Sequence, residues 1–113
     1  MRPLLCVAVM VKNEARRIEK TLSSVVAYVD QIVILDTGST DNTKEIIQNF
    51  CRQNNKPLKL EELPFVNFSH NRNYLLKMCQ KLSEFVLLLD ANEEGKNMDI
   101  LIKLLKKHIN NKK

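Results

Sequence analysis

The sequence predicts an α/β fold, a parallel, doubly wound sheet built in the order βαβαβαβα. Three observations predict it. Short apolar runs rich in Val, Ile and Leu recur along the 113 residues, and between them the apolar spacing switches to a helical period. The clearest run, Ile32-Val33-Ile34-Leu35, has no polar residue to turn toward water and reads as a strand buried on both faces. The runs around Val11, Leu35 and Leu89 each give way to acids, amides and turn formers. Those polar groups lie just past strand ends, where open α/β sheets hold their ligands.

Leu4–Val11 is the first strand and ends at Lys12-Asn13-Glu14. Arg2 ahead of this run imitates a secretory leader, but the run is short and no small-residue cleavage site follows. A buried strand is the better reading. From Glu14 a helix is expected, with Ile18, Leu22, Val25, Val26 and Val29 on one face and Arg16, Arg17, Glu19 and Lys20 elsewhere. Asp30-Gln31 breaks to the second strand, Ile32–Leu35, which Asp36 closes. Ser39, Thr40 or Asp41 can cap the next helix, since each offers a side-chain oxygen to unpaired backbone N–H groups. Bare amides at that helix start would favour an anion such as a phosphate.

The inner face of this second helix is Ile46, Ile47, Phe50 and Cys51, and Gln53-Asn54-Asn55-Lys56-Pro57 stops it. Leu58-Lys59-Leu60 is a brief strand expected at a sheet edge, followed by the loop Pro64-Phe65-Val66-Asn67-Phe68 with its two aromatic rings. Ser69-His70-Asn71-Arg72-Asn73 opens a third helix whose Tyr74, Leu75, Met78 and Leu82 face the core. Phe85–Leu89 is the fourth strand and runs into Asp90-Ala91-Asn92-Glu93-Glu94. A last helix, about Asp99–Ile109, aligns Leu101, Leu104, Leu105 and His108 on one stripe.

One domain, residues 1–113, accounts for the whole length, and the composition is that of a soluble globular protein with 44% hydrophobic and 27% charged residues. The net charge of +5 is a basic tail from about residue 103. Lys103, Lys106, Lys107, Lys112 and Lys113 stand there without an acid, which leaves 13 basic against 13 acidic residues in 1–102. A solvated helix end favoured by the helix dipole explains such a tail, and nucleic acid is an unlikely partner. Cys6, Cys51 and Cys79 are odd in number, widely spaced and set in apolar runs, which points to reduced, buried thiols in a cytoplasmic setting and to no zinc site. No run is long enough to span a bilayer. Asn67-Phe68-Ser69 fits a glycosylation pattern by chance, and His70 reads as a solvent-facing residue.

In a parallel sheet, Asn13-Glu14, Asp36 and Asp90-Ala91-Asn92 all point to one edge, and Arg72 at a helix start can join them. Carboxylates with one arginine and a helix N-terminus suit a ligand carrying hydroxyls and phosphate. Neither a GxGxxG fingerprint nor a P-loop is present, which argues against dinucleotides and Walker-type phosphate binding.

Four segments occur in order: Val11-Lys12-Asn13-Glu14, Asp36-Thr37-Gly38-Ser39-Thr40-Asp41-Asn42-Thr43, Phe68-Ser69-His70-Asn71-Arg72-Asn73 and Leu87-Leu88-Leu89-Asp90-Ala91-Asn92-Glu93-Glu94. Together, over about residues 4–105, they resemble the nucleotide-sugar half of a family 2, GT-A fold glycosyltransferase. The resemblance implies a truncated GT-A, Rossmann-like half that binds a nucleotide-diphosphate sugar, with UDP the expected nucleotide. By the same resemblance Asp36 contacts the base or ribose, Glu14 lies near the nucleoside with Asn13 beside it, and Ser39 belongs to the donor loop. Arg72 approaches the donor from the third helix, and Asp90 is the first acid of a DxD-like motif.

The resemblance also implies a metal, Mg²⁺ or Mn²⁺, at Asp90 and the position of Asn92. Asn92 departs from the pattern, because an amide oxygen can coordinate a hard cation but lacks the charge that helps hold it. Glu93 and Glu94 are the nearby acids that could compensate. Relatives carry an acceptor half and general base beyond the DxD segment, and this chain ends one helix later, so no catalytic residue is assigned. The last helix would be covered by that half. A second class of function stays open: a degenerate domain kept for interaction or homo-oligomerisation, which Asn92 favours.

Overall fold

A computed structural model describes residues 2–111, so the tail residues Lys112 and Lys113 lie outside the described residues. Four strands, β1 (Leu5–Val11), β2 (Gln31–Asp36), β3 (Leu58–Glu62) and β4 (Phe85–Asp90), form one sheet in the order β3-β2-β1-β4. Every neighbouring pair is parallel. The two most deeply buried strands, β1 and β2, take the centre, as a sheet covered on both sides requires. Register fixes the edge that matters: Val11 pairs with Asp36, Asp36 with Glu62, and Met10 with Asp90.

Four helices cover the sheet: α1 (Ile18–Ser23), α2 (Thr43–Gln53), α3 (Phe68–Met78) and α4 (Met98–Asn111). The period-two alternation of β1 sends Leu5, Val7, Val9 and Val11 to one face, where they pack with Ile18, Leu22, Ile47, Phe50 and Met98 of α1, α2 and α4. Cys6 and Ala8 turn to the other face with Val33, Leu35 and the α3 residues Leu75 and Met78. The parallel, doubly wound α/β sheet expected from the sequence is the fold observed. All three cysteines are buried free thiols, and burial pushes the Cys51 thiol up to about 11.

Two local expectations need correction. The helix expected from Glu14 through Val29 shortens to α1, flanked by turns in which Val25 donates to the Leu22 carbonyl and Tyr28 to the Val25 carbonyl. The tight three-residue turns still bring Val25 and Val29 into the core, which is why the helical spacing continued past the helix. Leu104 does not share the inner stripe of α4 but is 59% exposed. His108 is exposed too, although its ring meets Phe85 edge-on at 5.9 Å. β4 is an edge strand: α3 packs against β1 and β2, leaving Val86 and Leu88 part-exposed.

Candidate functional site

The carboxyl ends of the parallel strands collect the polar residues that the sequence singled out. Asp36, the last residue of β2, is fully buried. Its Oδ1 accepts the amide N–H of Gly38 at 2.8 Å and of Ser39 at 2.7 Å. Its Oδ2 is buried and has no partner. Gly38 takes φ 124°, a backbone region closed to most side chains, and this turns the loop back over the carboxylate.

Asn13 follows β1 in the left-handed region at φ 53°. Its Oδ1 accepts the amides of Thr40 at 2.7 Å and Asp41 at 3.2 Å, while its own N–H donates to the Ser39 hydroxyl at 3.0 Å. The Glu14 amide donates to Thr43 Oγ1 at 2.9 Å. Asp41 accepts the Thr43 amide at 3.0 Å and the Thr43 hydroxyl, and that hydroxyl is the main reason its carboxyl is held below the usual carboxylate range. Most of the loop amides that lead into α2 are therefore occupied. Those of Gly38, Ser39, Thr40, Asp41 and Thr43 already donate to side chains of the protein.

Arg72, exposed on the first turns of α3, and Asp90, at the end of β4, line one cavity of about 220 Å³. Met10, Phe68, Leu75 and Leu88 make its apolar walls. Asp36 lines a second cleft with Lys12, Glu62, Pro64 and Phe65. Asn13 and Glu14 border a third, beside Arg16, Arg17 and Asp41. Asn13, Glu14, Asp36, Arg72 and Asp90 thus share one edge but line three separate depressions.

At the DxD-like turn the two neighbouring acids are taken up by other partners. Glu93 folds back so that its Oε1 accepts the Asp90 amide at 2.8 Å, and Glu94 sits 3.8 Å from the Lys20 ammonium. Neither acid stands in for the one that Asn92 replaces. Among the described residues no group of three or more His, Cys, Asp or Glu side chains could hold a metal ion. Asp90 and Asn92, the metal ligands implied by the sequence, are left as one exposed carboxylate and one exposed amide.

Some residues of this edge carried no clear signal in the sequence. Asn71 is fully buried, accepts the Val66 amide at 2.9 Å and donates to the Pro64 carbonyl at 3.1 Å. It holds the loop that walls the Asp36 cleft. The available hint was a lone amide four residues before Leu75 on the inner face of α3. Asn67 caps α3, accepting the His70 amide at 2.8 Å, which gives the Asn67-Phe68-Ser69 pattern a structural use.

Comparison with known proteins places this arrangement. The model of glycosyl transferase family 2 matches residues 6–112. Glycosyltransferase SunS of the Bacillus subtilis SPbeta prophage is 33% identical over 90 residues, a match covering 80% of this chain and 20% of SunS. A mannosyltransferase from Pyrobaculum calidifontis, solved with GDP-Man and Mn²⁺, superposes with a TM-score of 0.76 at 26% identity. That likeness covers 94% of this chain and 32% of the mannosyltransferase. S. aureus TarS 1-349, solved with UDP, gives a TM-score of 0.71 at 26% identity over 93% of this chain and 32% of TarS. This chain therefore spans about a fifth of SunS and a third of the two solved enzymes. The fold, the strand-end constellation and the family match agree: the chain is a GT-A fold member of glycosyl transferase family 2.

Proposed function

We propose that the carboxyl edge of this sheet is a donor half-site that binds a nucleoside-diphosphate sugar with uracil as its base. The observation that carries the reading is the division of labour within Asp36. One oxygen is committed to the loop amides, and the other is buried without a partner, in a residue that lines the cleft walled by Pro64 and Phe65. A buried carboxylate oxygen without a donor is costly, and a ligand N–H relieves that cost.

Uracil presents one N–H between two carbonyl oxygens, so a single free oxygen suffices for it. Guanine presents two adjacent donors, N1–H and the 2-amino group, and is better served by both oxygens of a carboxylate. Lys12 at the same cleft offers an ammonium to a uracil carbonyl, and the Phe65 ring an apolar wall to its face. Arg72 and Asp90 would take the remainder of the donor, the guanidinium toward phosphate and the carboxylate toward sugar hydroxyls. Glu14 and Asn13 border the nucleoside, with Ser39 supporting Asn13.

In the reaction such a donor undergoes, an acceptor hydroxyl oxygen forms a bond to the anomeric carbon. The bond from that carbon to phosphate breaks, and the nucleoside diphosphate leaves with the electron pair. The hydroxyl proton must pass to a base. The part proposed for this chain is to hold and orient the donor through Asp36, Arg72 and Asp90.

Isothermal titration with UDP and with GDP, each with and without Mn²⁺, tests the reading. Saturable UDP binding, weaker for GDP by about tenfold or more, is expected, and Asp36→Ala should abolish it. No binding at about millimolar nucleotide by a folded sample would overturn it in favour of a degenerate interaction domain.

A further inference from the structure

We propose that the outer face of α4 docks this protein reversibly on an anionic lipid surface. α4 packs its Met98, Leu101, Ile102 and Leu105 against the sheet. At about 100° per residue, Ile100 and Leu104 fall one turn apart on the far side. They are 53% and 59% exposed. Lys103 and Lys107 make a second row beside them, both exposed, with Lys106 on the flank. Asp99 is the only acid of α4, at its first turn. Residues 1–102 balance 13 basic against 13 acidic side chains, and three of the five lysines that make up the protein's excess charge lie on α4.

The two rows select among occupants. A covering domain like the acceptor half of relatives would have to bury the Lys103 and Lys107 ammonium groups at a cost. A second copy set face to face would bring the lysine row against itself, and like charges at an interface oppose association. A nucleic acid would answer the lysines but leave Ile100 and Leu104 in water. A bilayer with anionic headgroups satisfies both rows at once. Ile100 and Leu104 enter the headgroup–acyl boundary, while the lysine stems lie along it and keep their ammonium groups at the phosphates. With two apolar side chains and one short basic row, the attachment is weak and reversible.

Co-sedimentation of the purified full chain with vesicles tests this. Vesicles of phosphatidylcholine with about 30% phosphatidylglycerol should bind it, and phosphatidylcholine alone should not. Raising salt from about 0.05 M to about 0.5 M should weaken binding by about tenfold or more. Ile100→Ser with Leu104→Ser, and separately Lys103→Glu with Lys107→Glu, should each weaken it about tenfold while leaving the thermal unfolding midpoint in place. No binding to anionic vesicles, or binding by both variants as tight as that of the wild type, would overturn the proposal. So would a dimer in sedimentation equilibrium that Ile100→Ser with Leu104→Ser dissolves, since the face would then join two copies. Tighter binding to duplex DNA than to vesicles at the same salt would overturn it as well.

Discussion

Asn13 holds the loop that follows β2 by accepting the Thr40 amide at 2.7 Å and the Asp41 amide at 3.2 Å. One side chain from the end of β1 thus fixes the segment that covers the Asp36 carboxylate. Hydrogen bonding across 27 and 28 residues of sequence joins the two central strand ends into one unit. The free oxygen of Asp36 is held in place by this framework and by its own bonds to Gly38 and Ser39.

Asn13→Ala should therefore destabilise the protein by about 2 kcal/mol, combining the lost acceptor with the cost of a left-handed alanine. Asn13→Gly tolerates the φ of 53° and loses only the acceptor, so it should cost less than alanine. Asn13→Asp keeps an acceptor and should stay close to wild type. Urea unfolding of the three variants gives the order. An alanine variant as stable as wild type would show that Asn13 does not hold the loop.

Asp36 predicts a separation of stability from binding. Asp36→Asn keeps an oxygen for the Gly38 and Ser39 amides and puts an NH₂ donor where the orphan oxygen stood. Removing a buried unpaired charge should leave stability unchanged or raise it by about 1 kcal/mol. UDP affinity should nevertheless fall by about tenfold or more, because two donors then face each other. Asp36→Ala should lose both, with stability down by about 2 kcal/mol. Unchanged UDP binding by Asp36→Asn would mean that this oxygen does not meet the base.

At the DxD-like turn the expectation is a gain. Asn92→Asp supplies the charge that the present amide lacks, beside the exposed Asp90 carboxylate. UDP binding by the wild-type chain should change little with Mn²⁺, whereas Asn92→Asp should bind UDP about tenfold more tightly with Mn²⁺ than without. Titration in the presence of EDTA supplies the reference. A wild-type chain already strongly metal-dependent would show that the turn recruits a ligand set different from the one described.

Asp41 carries the pH dependence. The Thr43 hydroxyl, then the Thr43 and Ala15 amides, hold its carboxyl below the ordinary value of 3.8. A carboxylate with a depressed folded-state pKa contributes stability that is fully present above its unfolded value. That contribution is lost as pH falls through the folded value. The melting-temperature gap between wild type and Asp41→Asn should stay level from about pH 7 to about pH 5 and close below about pH 4. A gap that persists down to about pH 2 would place its cause outside this carboxylate.

The strand-end residues were legible because parallel strands all finish on one edge, so Asn13, Asp36 and Asp90 had to converge once four strands were read. The engagement of the loop amides was not legible, since each bond from Asn13 depends on the register of β1 on β2. Asn71 was hidden by its position on an otherwise apolar helix face, where a buried amide acts only on a loop that the sequence does not place. The edge position of β4 was not legible either: Val86 and Leu88 stay 36% and 37% exposed because α3 sits over the central strands.

Gly95 supports the turn after β4 from behind. Its amide donates to the Ser24 hydroxyl at 2.8 Å, and the Thr21 hydroxyl donates to the Ala91 carbonyl at 2.8 Å, tying the turn to α1. A Cβ on Gly95 would stand 2.5 Å from Val25 Cγ1 and 3.1 Å from Met98 Sδ. Val25 is fully buried and cannot yield freely, so Gly95→Ala should cost about 1–3 kcal/mol. Val25→Ala alone should cost about 1–2 kcal/mol through the cavity it leaves. In the double variant the new methyl occupies part of that cavity, so the combined loss should fall short of additivity by about 1 kcal/mol. Urea unfolding of the four proteins measures this coupling. Simple additivity would mean that the turn accommodates a methyl by moving away from Val25, and the tie between this turn and α1 would then be looser than the two hydrogen bonds imply.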